Sequence, residues 1–293
     1  MGYTPQTQPR RRARRKDERI LAAIAAAAVI CIAAVIAAAL VHENRAREAA
    51  RTTTAKPTSV VYMGYTVALY DNLERNGRTE GVYTYLGGLL TSADARTGID
   101  VSQHQGEIDW ERVAEQGVEF AFLRIGYRGY TEGQMYEDTR FEEYYEGARA
   151  AGIDVGVYFY SQAVTVVEAR LEAAFVLEKL NGREVELPVA IDWEYAKAET
   201  ARTDEIGGNL LTSISKTFCE MIESEGYDAA IYFSKDTGYT QYNLGQLADY
   251  AFWVADYSDR PVFYYAHEFW QYSDKGHVDG IPEPVDLDLW FIE

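Results

Sequence analysis

Leu187-Pro188-Val189-Ala190-Ile191-Asp192-Trp193-Glu194 is a short apolar, β-branched run that ends in two acids. Such a run reads as a buried strand, as in a parallel sheet covered by helices. Side chains alternate along a strand, so Asp192 and Glu194 share one face, and both sit where the strand ends. Two carboxyls crowded there cannot both ionise freely. One pKa is expected to rise, leaving a proton donor beside an anion. Acid cleavage of a glycosidic bond needs that pair. An Asp-x-Glu pair at a strand end also serves as a loop salt bridge or a divalent metal site, so its surroundings decide the reading.

From Gly98 onward strands and helices alternate. Candidate strands cover 99–102, 120–125, 155–160, 189–192, 230–233 and 252–255, and candidate helices cover 110–115, 140–151, 166–180 and 210–225. Thr165 and Glu168 have capping-box spacing at the start of the third helix. Beyond Ala255 the helical pattern stops, and 263–273 and 285–291 read as strands without helices between them. Alternation implies a parallel sheet. The expected fold is α/β: an irregular (β/α) barrel of about eight strands with helices missing in the last part, preceded by a single N-terminal transmembrane helix. An open doubly wound sheet is the competing architecture, but the Gly-rich phosphate loop that usually accompanies it is absent.

The expected membrane span is residues 20–41, from Ile20 to Val41, which hold no charge, Gly or Pro. At ~1.5 Å per residue this helix is about 33 Å long, enough for a hydrocarbon core of ~30 Å. Residues 1–19 form a basic tail with Arg10, Arg11, Arg12, Arg14, Arg15, Lys16 and Arg19, which the positive-inside rule keeps cytoplasmic. Everything after Val41 is then extracellular. A cleaved signal peptide usually has a shorter apolar region, although Ala37-Ala38-Ala39 offers a small-residue cleavage site. A buried soluble helix is the third option, and the adjoining arginines argue against it. Residues 42–59 read as a polar linker. In 60–95, Val60 to Tyr70 reads as one strand, and Val82 to Leu86 is expected to pair back as a β-hairpin that docks on the main domain, 96–293.

The chain has 293 residues and a formal charge of −18. Residues 1–50 hold 9 Lys and Arg against 4 Asp and Glu, so the other 243 hold 19 against 42. A region this acidic repels a phosphate backbone and excludes nucleic acid as a partner. Cys31 and Cys219 give neither a disulfide framework nor a zinc spacing, and the four histidines form no ligand motif. No metal or cofactor is expected, and the chain is expected to be a monomer.

In a parallel barrel the active site gathers at the carboxyl ends of the strands. Here those ends carry Asp100, then Arg124 and Tyr127, then Tyr158 and Tyr160, then Asp192, Trp193 and Glu194, then Tyr232, then Trp253 and Asp256. Trp270-Gln271-Tyr272 and Asp286-Leu287-Asp288 complete the ring. Acids and aromatics together at one end of so many strands fit a carbohydrate cleft.

These motifs, in this order, resemble glycoside hydrolase family 25, the Chalaropsis-type muramidases. The likeness runs through Gly98-Ile99-Asp100-Val101-Ser102-Gln103-His104-Gln105-Gly106, Ile108-Asp109-Trp110, Phe122-Leu123-Arg124 and Gly156-Val157-Tyr158-Phe159-Tyr160. It continues through Ile191-Asp192-Trp193-Glu194, Trp253-Val254-Ala255, Trp270-Gln271-Tyr272-Ser273 and Val285-Asp286-Leu287-Asp288. The resemblance implies an irregular barrel that hydrolyses the β-1,4 bond between N-acetylmuramic acid and N-acetylglucosamine in peptidoglycan glycan strands. It implies Glu194 as general acid, with Asp192, Asp100 and Asp286 as further catalytic carboxylates. Tyr127, Tyr158, Tyr160, Trp193, Tyr232, Trp253, Asp256, Trp270 and Gln271 are the expected substrate-binding residues. Asp288 stands where the family usually has Asn. No wall-binding repeat follows the barrel in this sequence, so tethering is expected to hold the enzyme near its substrate.

Two mechanisms stay open: Asp192 as nucleophile, or attack by the substrate's own 2-acetamido group with Asp192 as stabiliser. Two other functions compete with a muramidase. One is a non-catalytic wall-binding or scaffold module on a membrane anchor, which loss of Glu194 would have signalled. The other is a metal-dependent hydrolase, which lacks histidines at ligand spacing.

Overall fold

The computed structural model describes residues 58–292 apart from Lys197. The expected span at 20–41, the basic tail and nearly all of the linker lie outside the described residues. Among the described residues no helix is long and apolar enough to cross a membrane.

The chain opens with β1 (Thr58–Tyr62), β2 (Tyr65–Leu69), β3 (Thr84–Leu86) and β4 (Leu89–Thr91). There follow β5 (Ala95–Val101), α1 (Trp110–Glu115), β6 (Phe120–Arg128), β7 (Met135–Glu137), α2 (Phe141–Ala150), β8 (Asp154–Ser161), α3 (Val166–Leu180) and β9 (Val189–Trp193). The last part holds α4 (Gly208–Ser224), β10 (Ala229–Ser234), α5 (Lys235–Thr240), β11 (Ala251–Ala255), β12 (Phe269–Gly276) and β13 (Val285–Phe291).

Eight strands close a barrel in the order β5-β6-β8-β9-β10-β11-β12-β13, and β13 pairs back onto β5. From β5 round to β12 the neighbours are parallel. β13 is antiparallel to both β12 and β5. The last helix of the barrel ends before β11. The expected barrel with helices missing at its end is therefore what the chain forms, and the doubly wound alternative is not.

The period of two sorts the strand residues into two cores. Val189, Ile191 and Trp193 of β9 pack outward against the helix layer. Phe120, Phe122, Tyr158, Ala190, Tyr232, Trp253 and Phe269 fill the barrel. Large rings fit there because small residues stand beside them. A Cβ on Gly98 would lie 2.3 Å from the Phe120 ring, and one on Gly156 would lie 2.6 Å from Phe122. Each glycine is the register partner of the phenylalanine it accommodates.

Residues 60–86 do not form one hairpin. Val60 to Tyr70 breaks at Met63-Gly64, both with positive φ, as a tight two-residue hairpin turn requires. β1 therefore pairs with β2. β3 pairs with β4 through Gly87-Gly88, again with both φ positive. The expected strand at 263–273 is also shorter, beginning at Phe269.

The segment after β2 docks along the barrel's helix-free side. Tyr83 meets Trp270 edge-on at 5.5 Å, and the Leu90 amide donates to the Tyr272 hydroxyl at 3.0 Å. The Arg78 guanidinium sits over the Phe291 ring at 4.5 Å, and Asn76 Nδ2 donates to the carbonyls of Pro261 and Phe263 at 2.6 and 3.0 Å. Leu89 and Leu90 are buried. This strap covers the side that β11, β12 and β13 leave without helices.

A chain beginning at Arg96 is therefore expected to be markedly less stable than one beginning at Thr58. Loss of Leu89 and Leu90 alone amounts to roughly 3–6 kcal/mol of burial, and thermal denaturation of the two chains measures the difference. Equal melting temperatures would show that the strap carries no stability.

Candidate active site

The barrel mouth is built from the ends of the strands. β9 contributes Asp192, whose register partners are Tyr160 on β8 and Tyr232 on β10. Glu194 follows one residue past β9 and is half-buried. β5 contributes Asp100. Because β13 runs the other way, its beginning lies at the mouth, and Asp286 is the register partner of Asp100.

Hydrogen bonds link the mouth's floor. Gln271 Nε2 donates to Asp100 Oδ2 at 2.7 Å. Its Oε1 accepts from the hydroxyls of Tyr232 and Tyr257, both at 2.9 Å. The indole N–H of Trp253 donates to Asp288 Oδ1 at 2.8 Å. Trp253 stacks on Phe122 with ring centroids 4.3 Å apart and takes Tyr158 and Tyr232 edge-on.

The carboxyls crowd one another in a poorly hydrated place. Burial first, then the charges of Glu194 and Asp100, push the Asp192 carboxyl well above its usual range, and Arg124 offsets this in part. Burial, then Asp288, does the same to Asp100. Burial, partly countered by the Trp253 indole, lifts Asp288 to about 8. Arg124 is the cation whose charge acts on Asp192, and its Nε is held by Asp138 Oδ2 at 2.7 Å. Arg124 Nη2 and Asp192 Oδ1 are buried without a hydrogen-bond partner among the described residues. Unspent buried polar atoms at a mouth are groups a polar ligand could satisfy.

Beside the mouth lies a cavity of about 660 Å³ lined by Arg124, Tyr127, Tyr130, Tyr136 and Tyr160, among others. Tyr127 and Tyr136 stack at 5.3 Å. Flat rings with polar edges suit a sugar, which stacks and hydrogen bonds at once. Among the described residues no group of three or more His, Cys, Asp and Glu side chains is placed to hold a metal ion.

The structure thus brings Asp100, Asp192, Glu194, Asp286, Tyr127, Tyr158, Tyr160, Tyr232, Trp253 and Gln271 to the mouth or its floor. Three expected binding residues are not brought there. Trp193 is buried on the helix side, its indole donating to the Ala163 carbonyl at 3.3 Å. Trp270 is buried on the strap side, donating to the Asp256 carbonyl at 2.7 Å. Asp256 is spent on its own loop: Lys235 pairs with it, and Ser258 Oγ and the Val262 amide donate to it at 2.6 and 3.1 Å.

Two contributors lie outside the expected site residues. Gln162 is fully buried, and its Nε2 donates to the Glu194 carbonyl at 2.7 Å while Thr203 donates to its Oε1 at 3.0 Å. It pins the backbone of Glu194 to the loop after β8. That loop is held in turn by Arg202, which donates to the Gln162 carbonyl and pairs with Glu168 at 2.6 Å. Tyr257, just past β11, is the second, through its bond to Gln271.

Comparison with known proteins now decides the family. The profile of Glycosyl hydrolases family 25 matches residues 99–281, more than half of the chain. The chain belongs to glycosyl hydrolase family 25. It is 30% identical over 193 residues to an autolytic lysozyme of Clostridium acetobutylicum, covering 65% of this chain but only 54% of that relative. It is 29% identical over 219 residues to lysozyme M1 of Streptomyces globisporus, covering 68% and 72%. A bacterial lysozyme structure from Streptomyces coelicolor superposes with a TM-score of 0.55 at 26% identity, covering 68% of this chain and 93% of that one. The strap lies outside the residues that match the family 25 profile.

The raised carboxyls make stability depend on pH. As a group, Asp100, Asp192 and Asp288 hold more protons in the folded state than in the unfolded chain, whose carboxyls ionise near pH 4, so folding binds protons above that pH. Stability from these groups is therefore full below about pH 4 and is lost as pH rises toward about 8. The melting temperature is expected to fall between pH 5 and pH 8, and to fall less steeply in Asp192→Asn. Calorimetry across that range checks it; a rising trend would contradict the buried-acid picture.

Proposed function

We propose that this chain is a muramidase that hydrolyses the β-1,4 bond between N-acetylmuramic acid and N-acetylglucosamine in peptidoglycan. The observation that carries the reading is the pair Asp192 and Glu194 at the end of one strand, in a mouth of carboxyls walled by tyrosines. Family membership and the similarity to autolytic and bacterial lysozymes support it.

In this mechanism Glu194 gives its proton to the glycosidic oxygen as the bond from C1 of muramic acid breaks. The acetamido carbonyl oxygen of the same sugar attacks C1 and forms a cyclic intermediate. Asp192 Oδ1 takes the acetamido N–H and steadies the positive charge that develops. Water then opens the ring, losing its proton to Glu194, so the acid is restored and configuration at C1 is retained. Gln162 fixes the backbone from which Glu194 reaches the bond, since small misplacements of a catalytic group cost large factors in rate.

The tyrosine-lined cavity next to Tyr160 is proposed to hold further sugars of the strand. The segment at 20–41 is proposed as an uncleaved anchor, with residues 1–19 cytoplasmic and the acidic domain outside the cell. Peptidoglycan is then within reach of a tethered enzyme at high effective concentration.

The test is incubation of the chain from Thr58 with purified peptidoglycan, followed by identification of new reducing ends. Muramic acid ends are expected. Glucosamine ends would indicate a glucosaminidase, dependence on added metal would indicate a metallohydrolase, and binding without new ends would indicate a wall-binding module. Glu194→Gln keeps the side-chain shape but has no proton to donate, so turnover should fall by at least ~10²-fold with the fold intact. Near-normal turnover by that variant would overturn the assignment of the acid.

For topology, protease added to intact cells should reach the 52–57 stretch of the linker. Protection of the domain, or a mature protein that starts after Ala39, would contradict the anchor.

A further inference from the structure

Asp288 is fully buried inside the barrel. Its Oδ1 accepts the Trp253 indole N–H, and its Oδ2 has no N–H or O–H donor among the described residues. The group it meets side chain to side chain is another carboxyl, that of Asp100. Asp100 is 6% exposed, and its Oδ2 already accepts from Gln271. Two buried carboxylates in contact cannot both be anions. A proton between them removes the repulsion and supplies the donor that Asp288 Oδ2 lacks.

We propose that Asp288 is a positioning residue that shares one proton with Asp100, and that this proton locks Asp100, and through Gln271 the hydroxyls of Tyr232 and Tyr257, into the geometry of the working cleft.

The groups facing this pair do not supply an alternative. Asp286 lies two residues away on β13. Across the mouth stand Asp192 from β9 and Glu194 just past it. Tyrosines come from β8 (Tyr158), β10 (Tyr232), the turn after β11 (Tyr257) and β12 (Tyr272). Among the described residues the cation that acts on Asp192, Arg124 on β6, is held by Asp138. More carboxyls than cations favour keeping the proton, and burial raises both Asp100 and Asp288, so the lock persists through neutral pH and opens only in the alkaline range. Deprotonation leaves two anions in contact, and the pair must part.

The inference rests on the glycosidase reading for its activity readout and on spectroscopy independently of it. In the full chain, infrared spectra at pH 7 are expected to show one protonated-carboxyl C=O band that is missing from both Asp288→Asn and Asp100→Asn. An amide at 288 can accept from Trp253 with its oxygen and donate permanently to Asp100 with its nitrogen. Asp288→Asn is therefore expected to work in the acid range and to show at alkaline pH only the fall set by the Glu194 proton, whereas the wild-type rate should fall more steeply as the shared proton is also lost. Asp288→Leu, which can neither donate nor accept, should lose turnover at every pH.

A missing shared band, or identical pH–rate profiles for wild type and Asp288→Asn, would overturn the proposal. If no hydrolysis of peptidoglycan is found at all, the band still decides the shared proton, and the muramidase reading fails separately.

Discussion

β13 runs against β5 and β12, and that reversal places the acids of the mouth. In an all-parallel barrel each strand brings its carboxyl end to the active face. Here the last strand brings its beginning, so Asp286 stands beside Asp100 and Asp288 beside Gln271. Together with Asp192 and Glu194 on β9, the reversal gathers five carboxyls round a floor of Phe122, Tyr158 and Trp253. The barrel must be closed for this to happen, and closure depends on small residues. Gly98 and Gly156 let the phenylalanines of β6 fill the interior.

The same closure leaves one side of the barrel without helices, because the crossover from β11 to its parallel neighbour β12 contains none and β13 returns antiparallel. Parallel strands must be covered on both faces. Residues 70–91 do this, using Leu89, Leu90 and Tyr83 against Trp270, Tyr272 and Phe291. A segment that the family profile does not match is thus part of the barrel's core. It also shows that the outward-facing tryptophan of Trp270-Gln271 serves the strap, while Gln271 serves the mouth.

Much of this was legible in the sequence because β-structure has a period of two and parallel strands end alike. Apolar runs located the strands, and the acids at their ends located Asp100, Asp192 and Glu194. The same rule, applied strictly, also sorts the misplaced residues. Trp193 lies between Asp192 and Glu194 and so must face away from them. Trp270 precedes Gln271 and faces away likewise, and Asp256 follows Ala255, an interior residue. What the sequence did not disclose depends on distance along the chain. Gln162 meets the Glu194 carbonyl 32 positions on, and no local pattern marks such a bond. The hairpin at 58–69 was hidden because Met63-Gly64 sits inside an apolar run, where a positive-φ turn residue is unusual. The role of 70–91 was hidden because strap residues follow the surface they cover rather than a helix or strand period.

In the proposed mechanism two carboxyls at the end of β9 cleave a glycosidic bond by way of an intermediate at C1. Both routes to such an intermediate, through the acetamido group or through Asp192 itself, invert C1 twice. The most direct measurement is the anomeric configuration of the muramic acid product in the first moments of hydrolysis, followed by proton NMR of a soluble glycan before mutarotation. The proposed mechanism gives the β-anomer first. The α-anomer first would mean direct attack by water and would contradict the roles given to Asp192 and Glu194.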